Sequence, residues 1–357
     1  MYSFIKKNET FSELMDIALA ETTLRNAASL RGSFAKKQIK GRDYWYYQFT
    51  DLDGKNKQIY IGAESERVRE LIAVNKNNST DTLQHIKQTA ANAIKAGYKT
   101  TAVKQFNIIN KLSDYGFFAV GGVLVGTHAF IAIGNTLGVN WGNANSTLDV
   151  DFAHAGKNIS IAVPSNIKIN LHNAIESLEM GFIPLSSFDG KHGGSYINPS
   201  SKDERIDFLT PSTGLSAAPV FIKDMGISLE PLKFMELSLE DLHRSVVISS
   251  TGSGAVGVNI PNPALFAIHK LIVAVERGVS NPKSNKDITQ AASVIDFYAD
   301  NDKGTITMAW RETEARGAGW KKRMQQGLTR MKVMHPEVYN KVGKSFCADG
   351  KPAKASS

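Results

Sequence analysis

Asp149 and Asp151, within Thr147-Leu148-Asp149-Val150-Asp151-Phe152, are the residues whose types and spacing most directly suggest chemistry. Read as a strand, this segment sends both carboxylates to one face and Leu148, Val150 and Phe152 to the other. Two carboxylates side by side on one strand repel each other unless a cation lies between them. A hard divalent ion, Mg²⁺ or Mn²⁺, accepts oxygen ligands and leaves room for substrate phosphates. An exposed strand edge with ordinary solvated acids has the same local text, because Asp-x-Asp is a common pattern. A third acid, Asp207, sits in Arg205-Ile206-Asp207-Phe208-Leu209, another short alternating strand.

The elements that must position these acids follow from the surrounding pattern. Phe117–Val120 reads as a short buried strand, Gly121-Gly122 as the turn after it, and Val123–Ile133 as a helix packed on the sheet. A glycine pair at such a turn lets backbone approach a phosphate, and the helix N-terminus offers it free N–H groups. Ile159–Val163, Phe182–Ser186, Val246–Ser249 and Ala255–Ile260 read as strands, and Ile167–Met180 as a helix. Residues 189–204, rich in Gly, Ser and charge, read as a mobile loop. It could carry Lys191, His192 and Lys202 to a triphosphate, or be a surface loop without a role. Pro261 and Pro263 open a helix that carries His269 and Lys270.

Glycine turn, paired aspartates and a later single aspartate, in that order, resemble the nucleotidyltransferase superfamily with its DNA polymerase β-like fold. The resemblance implies an α+β, mixed-sheet catalytic core. In it Asp149, Asp151 and Asp207 hold two metal ions, and Gly121 and Gly122 cradle a nucleoside triphosphate. A further stretch, Pro261-Asn-Pro-Ala-Leu-Phe-Ala-Ile-His-Lys-Leu271 with Glu276-Arg277 and Lys286-Asp287, resembles abortive-infection-type toxin nucleotidyltransferases. That match implies Lys270 on the phosphates and Asp287 supporting the site. Without it, Lys270 reads equally well as a snorkelling helix lysine. Arg31-Gly-Ser-Phe34, Lys40-Gly-Arg-Asp-Tyr-Trp-Tyr-Tyr47 and Gln58-Ile-Tyr-Ile-Gly62 resemble the leader of a bacterial group of predicted nucleotidyltransferases.

Two departures stand out. The stretch from Gly122 to Asp149 is longer than the superfamily's, with Gly134–Ser146 reading as an inserted loop, and Gly122 replaces the usual serine. The implied reaction moves an NMP from an NTP to an acceptor hydroxyl and releases pyrophosphate. RNA, in particular a tRNA 3′ end, is the first acceptor implied, in a toxin–antitoxin or phage-defence setting with a cognate antitoxin as partner. Transfer of AMP to a protein is a second reading. A catalytically silent module that binds nucleic acid or a partner is a third.

Composition bounds these readings. A chain of 357 residues with 42% hydrophobic content is long enough for two domains or one domain with appendages. Its single cysteine, Cys347, excludes an intrachain disulfide framework and, with no signal-peptide pattern in MYSFIKKNETFSEL, fits a cytoplasmic protein. Tyr115–Gly134 lacks formal charge over the length of a membrane span, yet its glycines and His128 favour buried strand, turn and helix. No His-x-x-x-His pair or Gly-x-Ser-x-Gly elbow supports zinc or serine-hydrolase chemistry.

Residues 303–357 hold twelve Lys and Arg against four acids, an excess that equals the chain's whole +8. Such a region attracts a polyanion, or simply solvates a helical surface. Phe11–Leu30 reads as a helix and Ser33–Gly62 as strand-like runs around an Asp53-Gly54 turn. Lys36, Lys37, Lys40 and Arg42 there precede Tyr44-Trp-Tyr-Tyr47, which suits nucleic-acid contact and equally the packing of a small sheet. Ser65–Ser113 reads as helical with breaks near residues 77–80 and at Gly97, and Ile288–Tyr298 and Met308–Met334 read as helices. The expected organisation is an N-terminal module (1–113), a catalytic domain (114–260), a helical C-terminal domain (261–345) and a disordered tail (346–357).

Overall fold

Short alternating segments build a central sheet, and amphipathic helices cover it. A computed structural model describes residues 1–5, 9–27, 32–50, 56–142, 147–156, 170–185, 194–212, 218–223 and 225–347. Its elements begin with β1 (Ser3–Phe4), α1 (Thr10–Ala27), β2 (Gly32–Ile39), β3 (Arg42–Thr50), β4 (Asn56–Ala63), α2 (Glu66–Lys95) and α3 (Val103–Asp114). Next come β5 (Val123–Val125), α4 (Gly126–Leu137), β6 (Val139–Asn140), β7 (Val150–Ala153), α5 (Leu171–Glu176), β8 (Ile183–Pro184), β9 (Ser195–Asn198) and β10 (Ser201–Pro211). The chain continues through β11 (Val220–Ile222), β12 (Ile227–Leu232), a 3₁₀ turn at Met235–Leu239, β13 (His243–Ile248) and β14 (Ala255–Ile260). It ends in α6 (Pro263–Arg277), α7 (Pro282–Asn301), α8 (Lys303–Glu314), α9 (Ala318–Met334) and α10 (Pro336–Cys347), an α+β arrangement.

The central sheet is mixed, in the order β11-β12-β10-β7-β5, with β8 and β9 attached to β10. Strand β10 runs parallel to β7 and β12, whereas β5 is antiparallel to β7. Register is set by aromatics. Phe152 and Phe208 are cross-strand partners on the buried face, their rings stacked 5.4 Å apart, and Phe117 meets both edge-on. The same register places Asp151 opposite Asp207 on the other face. A one-residue slip would drive the acids into the core, so ring packing and carboxylate placement are one constraint.

One apolar cluster runs from Phe106 to Phe346 and joins this sheet to α4, α6, α7 and the later helices. It is continuous across residue 260. A second cluster packs α1 and α2 on the β13–β14 hairpin through Leu14, Ala18, Ile86, Ala90, Val246 and Ile248. Strands β2, β3 and β4 form a separate antiparallel sheet. Among the described residues no helix is long and apolar enough to cross a membrane.

Several expectations need correction. Phe117–Val120 forms turns, not a strand, and Val123–Val125 is a strand before the helix starts at Gly126. Phe117 is drawn into the core against Phe152 and Phe208, which bends the chain one step earlier than the pattern suggests. Gly134 is helical rather than part of an inserted loop, and a Cβ there would lie 2.3 Å from the Trp141 ring nitrogen. Helix α2 runs unbroken through residues 77–80, where weak propensities of well under 1 kcal/mol per residue do not outweigh its continuation. Met308–Met334 is instead two helices, separated at Gly317 with φ +131°. Phe346 and Cys347, expected in a disordered tail, instead end α10, where Phe346 stacks on Trp310, while Ile159–Val163, Asp53-Gly54, Lys191, His192 and residues 348–357 lie outside the described residues.

Candidate active site

Strand β5 ends at Val125, and α4 begins at Gly126, whose φ is +66°. A Cβ on Gly126 would sit 2.1 Å from Asp151 Oδ2, so only glycine lets the helix start against that carboxylate. Gly126 and Thr127 line a cavity, which therefore meets the end of a helix where N–H groups lack intrahelical partners.

The sheet supplies the cavity's acidic wall. Asp149 and Asp151 come from the β7 segment and Asp207 from β10, and all three line the cavity. Asp207 Oδ1 accepts from Ser195 Oγ at 2.6 Å and from Arg205 Nε at 2.6 Å. Asp149 Oδ2 receives the exposed Lys283 ammonium at 2.7 Å. Among the described residues no donor bonds to the Asp151 carboxylate. Desolvation, with Asp207 and Asp149 adding repulsion, pushes its pKa up to about 6.

Helices α6 and α7 supply the basic wall. Phe266, His269, Lys270, Val273 and Arg277 recur at helical spacing on the cavity face of α6. Asn262 caps this helix by accepting from the Ala264 and Leu265 N–H groups, and Pro263 fills its first position. Lys270 Nζ and Arg277 Nη1 both reach the buried Asp287 of α7, at 2.7 and 2.5 Å. Lys283 and Lys286 join them at the cavity from α7. Burial, reinforced by Lys270, pulls the Lys286 pKa down. Cations from two helices thus face carboxylates from the sheet.

Between these walls the lining turns apolar, with Leu209, Leu232, Met235 and Phe266. His269 also lines this part, its Nδ1 2.9 Å from Ser238 Oγ. Burial and the adjacent Lys270 push its pKa down to about 3, so the imidazole is neutral.

The structure therefore brings Asp149, Asp151, Asp207, Lys270 and Asp287 to one cavity and leaves Gly121 and Gly122 outside its lining. The glycine pair belongs to a turn in which Gly122 is buried and Gly121 exposed. Asn259 Nδ2 donates to the carbonyls of Phe118 and Gly122, and His154 Nε2 lies 2.8 Å from the Val120 carbonyl. A Cβ on Gly122 would lie 2.4 Å from the Phe117 ring, so packing requires that glycine. Lys202 falls on β10, and its side chain lies outside the described residues. Gly126, Thr127 and Lys283 carry no distinguishing signal in sequence, and Lys286 stands in the Lys286-Asp287 pair without an assigned role. Val123-Leu-Val-Gly-Thr127 carries the same strand-then-glycine signal and adds a hydroxyl, but Gly121-Gly122 masked it.

The donor chemistry fits a hard divalent ion. An unpartnered carboxylate sits between two others, and Gly126 leaves Asp151 Oδ2 the space that a side chain would fill. Among the described residues no three His, Cys, Asp or Glu side chains stand close enough together to hold an ion, so an ion here would need further ligands from substrate phosphates or water.

Comparison with known proteins adds a family to this geometry. No curated protein matches the sequence. The crystal structure of an antigenic nucleotidyltransferase-like protein from Paracoccidioides brasiliensis aligns with 71% of this chain and 97% of its own. Identity is 13% and the TM-score 0.34. A family model described as a nucleotidyltransferase matches residues 104–315, more than half of the 357 residues and every acid and cation of the cavity. The chain belongs to the nucleotidyltransferase family.

Proposed function

We propose that the protein transfers an NMP from an NTP to a hydroxyl of RNA, in particular at a tRNA 3′ end, and releases pyrophosphate. The observation that carries this reading is the pairing of an acidic sheet wall with a basic helical wall in one cavity. Asp149, Asp151 and Asp207 would hold Mg²⁺ or Mn²⁺. The bound ion would neutralise triphosphate charge and lower the pKa of the acceptor hydroxyl. The α4 N-terminus and the Thr127 hydroxyl receive phosphate oxygens. Lys270 and Arg277, held side by side by Asp287, oppose the remaining charge as a point ammonium and a planar fork. The acceptor oxygen attacks the α-phosphorus, the bond to the β-phosphate oxygen breaks, and the hydroxyl proton is released.

RNA is favoured by where the basic C-terminal region lies. Helix α9 packs directly behind α6, with Arg330 Nη1 donating to the Ala274 carbonyl and Arg323 paired to Glu276. Part of its charge is used internally: Arg316, Arg323 and Lys341 pair with Glu240, Glu276 and Asp296, all outside residues 303–357. Incubation with each α-labelled NTP, Mg²⁺ and total tRNA tests the proposal. Label in RNA supports it. Label in protein would redirect it to AMP transfer onto a protein, and tight RNA binding without label would leave a silent binding module.

A further inference from the structure

The small sheet of β2, β3 and β4 has two unlike faces. On one, Trp45 Nε1 donates to Glu64 Oε2 at 2.9 Å, and Lys36 Nζ bridges Asp43 and Glu64 at 2.8 and 3.0 Å. Arg69 of α2 reaches the same Glu64 at 2.5 Å, and Val68 lies 3.1 Å from where a Gly62 Cβ would stand. That face is tied to α2, and among the described residues Lys36, Asp43, Glu64 and Arg69 pair with one another there.

Alternation puts Lys37, Tyr44, Tyr46, Gln58 and Tyr60 on the other face. Lys37 Nζ donates to Gln58 Oε1 at 2.6 Å and stands 5.3 Å over the Tyr46 ring. Tyr60 meets Tyr46 at 5.6 Å and Tyr44 at 6.2 Å between ring centroids, and it remains 55% exposed. Arg42, opposite Ile39, extends this face and is exposed. None of these rings belongs to a buried apolar cluster. Among the described residues they pack on one another. The charges that alternation places here among the described residues, Lys37 and Arg42, are both positive.

We infer that this face binds single-stranded nucleic acid, with Tyr44, Tyr46 and Tyr60 stacking on bases and Lys37 and Arg42 meeting phosphates. Packed aromatics beside unopposed cations on an open sheet supply the two contacts that unpaired strands offer, a base face and a backbone charge. A duplex hides its base faces and fits this surface poorly. The surface would hold a strand independently of the transfer chemistry proposed above.

Fluorescence anisotropy of the full chain, in EDTA and without NTP, tests this with labelled oligo(U), oligo(dT) and a duplex of equal length. Both single strands should bind more tightly than the duplex. A preference for oligo(U) would identify RNA through its 2′-hydroxyls, and equal binding would leave the shared base and phosphate chemistry as the determinant. Tyr46→Ala combined with Tyr60→Ala should weaken single-strand binding about 100-fold, the loss expected for two stacked bases. Tyr46→Phe with Tyr60→Phe should retain it, which separates stacking from folding. Lys37→Ala should flatten the salt dependence. The inference is overturned if the alanine pair, with Trp45 fluorescence unchanged, binds single strands as the parent does. Tighter duplex binding, or no binding of either strand, would overturn it equally. Because the readout needs neither NTP nor metal, it fails or succeeds apart from NMP transfer.

Discussion

Asp151 and Asp207 face each other across the parallel pair β7–β10, on the side of the sheet opposite the stacked Phe152 and Phe208. Asp151 has no donor among the described residues, whereas Asp207 is held by Ser195 and Arg205. An unpartnered carboxylate beside another destabilises the fold at neutral pH, so Asp151→Asn should raise stability while it removes function. Thermal unfolding in EDTA should show a gain of about 1–3 kcal/mol, from a pKa raised to about 6 at 1.36 kcal/mol per unit. NMP transfer should fall by about 10³-fold or more. A variant that melts lower and still transfers would refute both halves.

Two glycines separate catalytic placement from packing. Gly126→Ala pushes a methyl group into Asp151 Oδ2, and should lower transfer by about 100-fold in protein that still folds. Gly122→Ala instead collides with the Phe117 ring and should lower the melting temperature, with activity per folded molecule preserved. Melting curves and specific activities of the pair, measured together, decide this. Equal effects from the two would contradict the cavity's assignment to Gly126.

Asp287, itself buried, joins the buried Lys270 to the exposed Arg277. Asp287→Asn leaves two like charges without their counter-ion and should cost about 3–5 kcal/mol of stability. Denaturant unfolding measures it. An unchanged midpoint would show that these pairings do not stabilise the fold.

His128 and His269 are buried, and their pKa values are pushed down to about 4 and about 3, mainly by desolvation. Unfolded, both titrate near 6.5, so below that pH the unfolded chain binds protons that the folded chain refuses. Their contribution is complete above pH 6.5 and is lost as pH falls toward 4 and 3. At pH 5 each histidine should cost about 2 kcal/mol. The variant combining His128→Gln and His269→Asn should show a flatter decline in unfolding free energy between pH 6.5 and 5. A parallel decline would exclude these residues as its source.

The sequence by itself determined much of the local frame. Alternation around Val150, Phe152, Ile206 and Phe208 marks two strands, because a strand buried on one face must repeat every two residues. Asn262 and Pro263 mark the start of α6, since both are suited to a helix N-terminus for reasons internal to a few residues. Asp149, Asp151 and Asp207 were legible as candidates for the same reason, whereas Lys270 and Asp287 were singled out only by the resemblance of their segment to a family pattern.

Tertiary structure alone decided which groups meet. Gly122 and Gly126 are equally plausible turn glycines in a linear text, and only the collapse of Phe117 onto Phe152 and Phe208 assigns Gly122 to packing. Lys283 lies 134 residues from the Asp149 it pairs with, and no local pattern encodes that distance. The C-terminal charge excess likewise looked free in sequence, yet Arg316, Arg323 and Lys341 meet acids contributed by earlier segments. Periodicity reports which face of an element is buried. Which face it is buried against depends on long-range packing, and that is where the cavity's two walls come together.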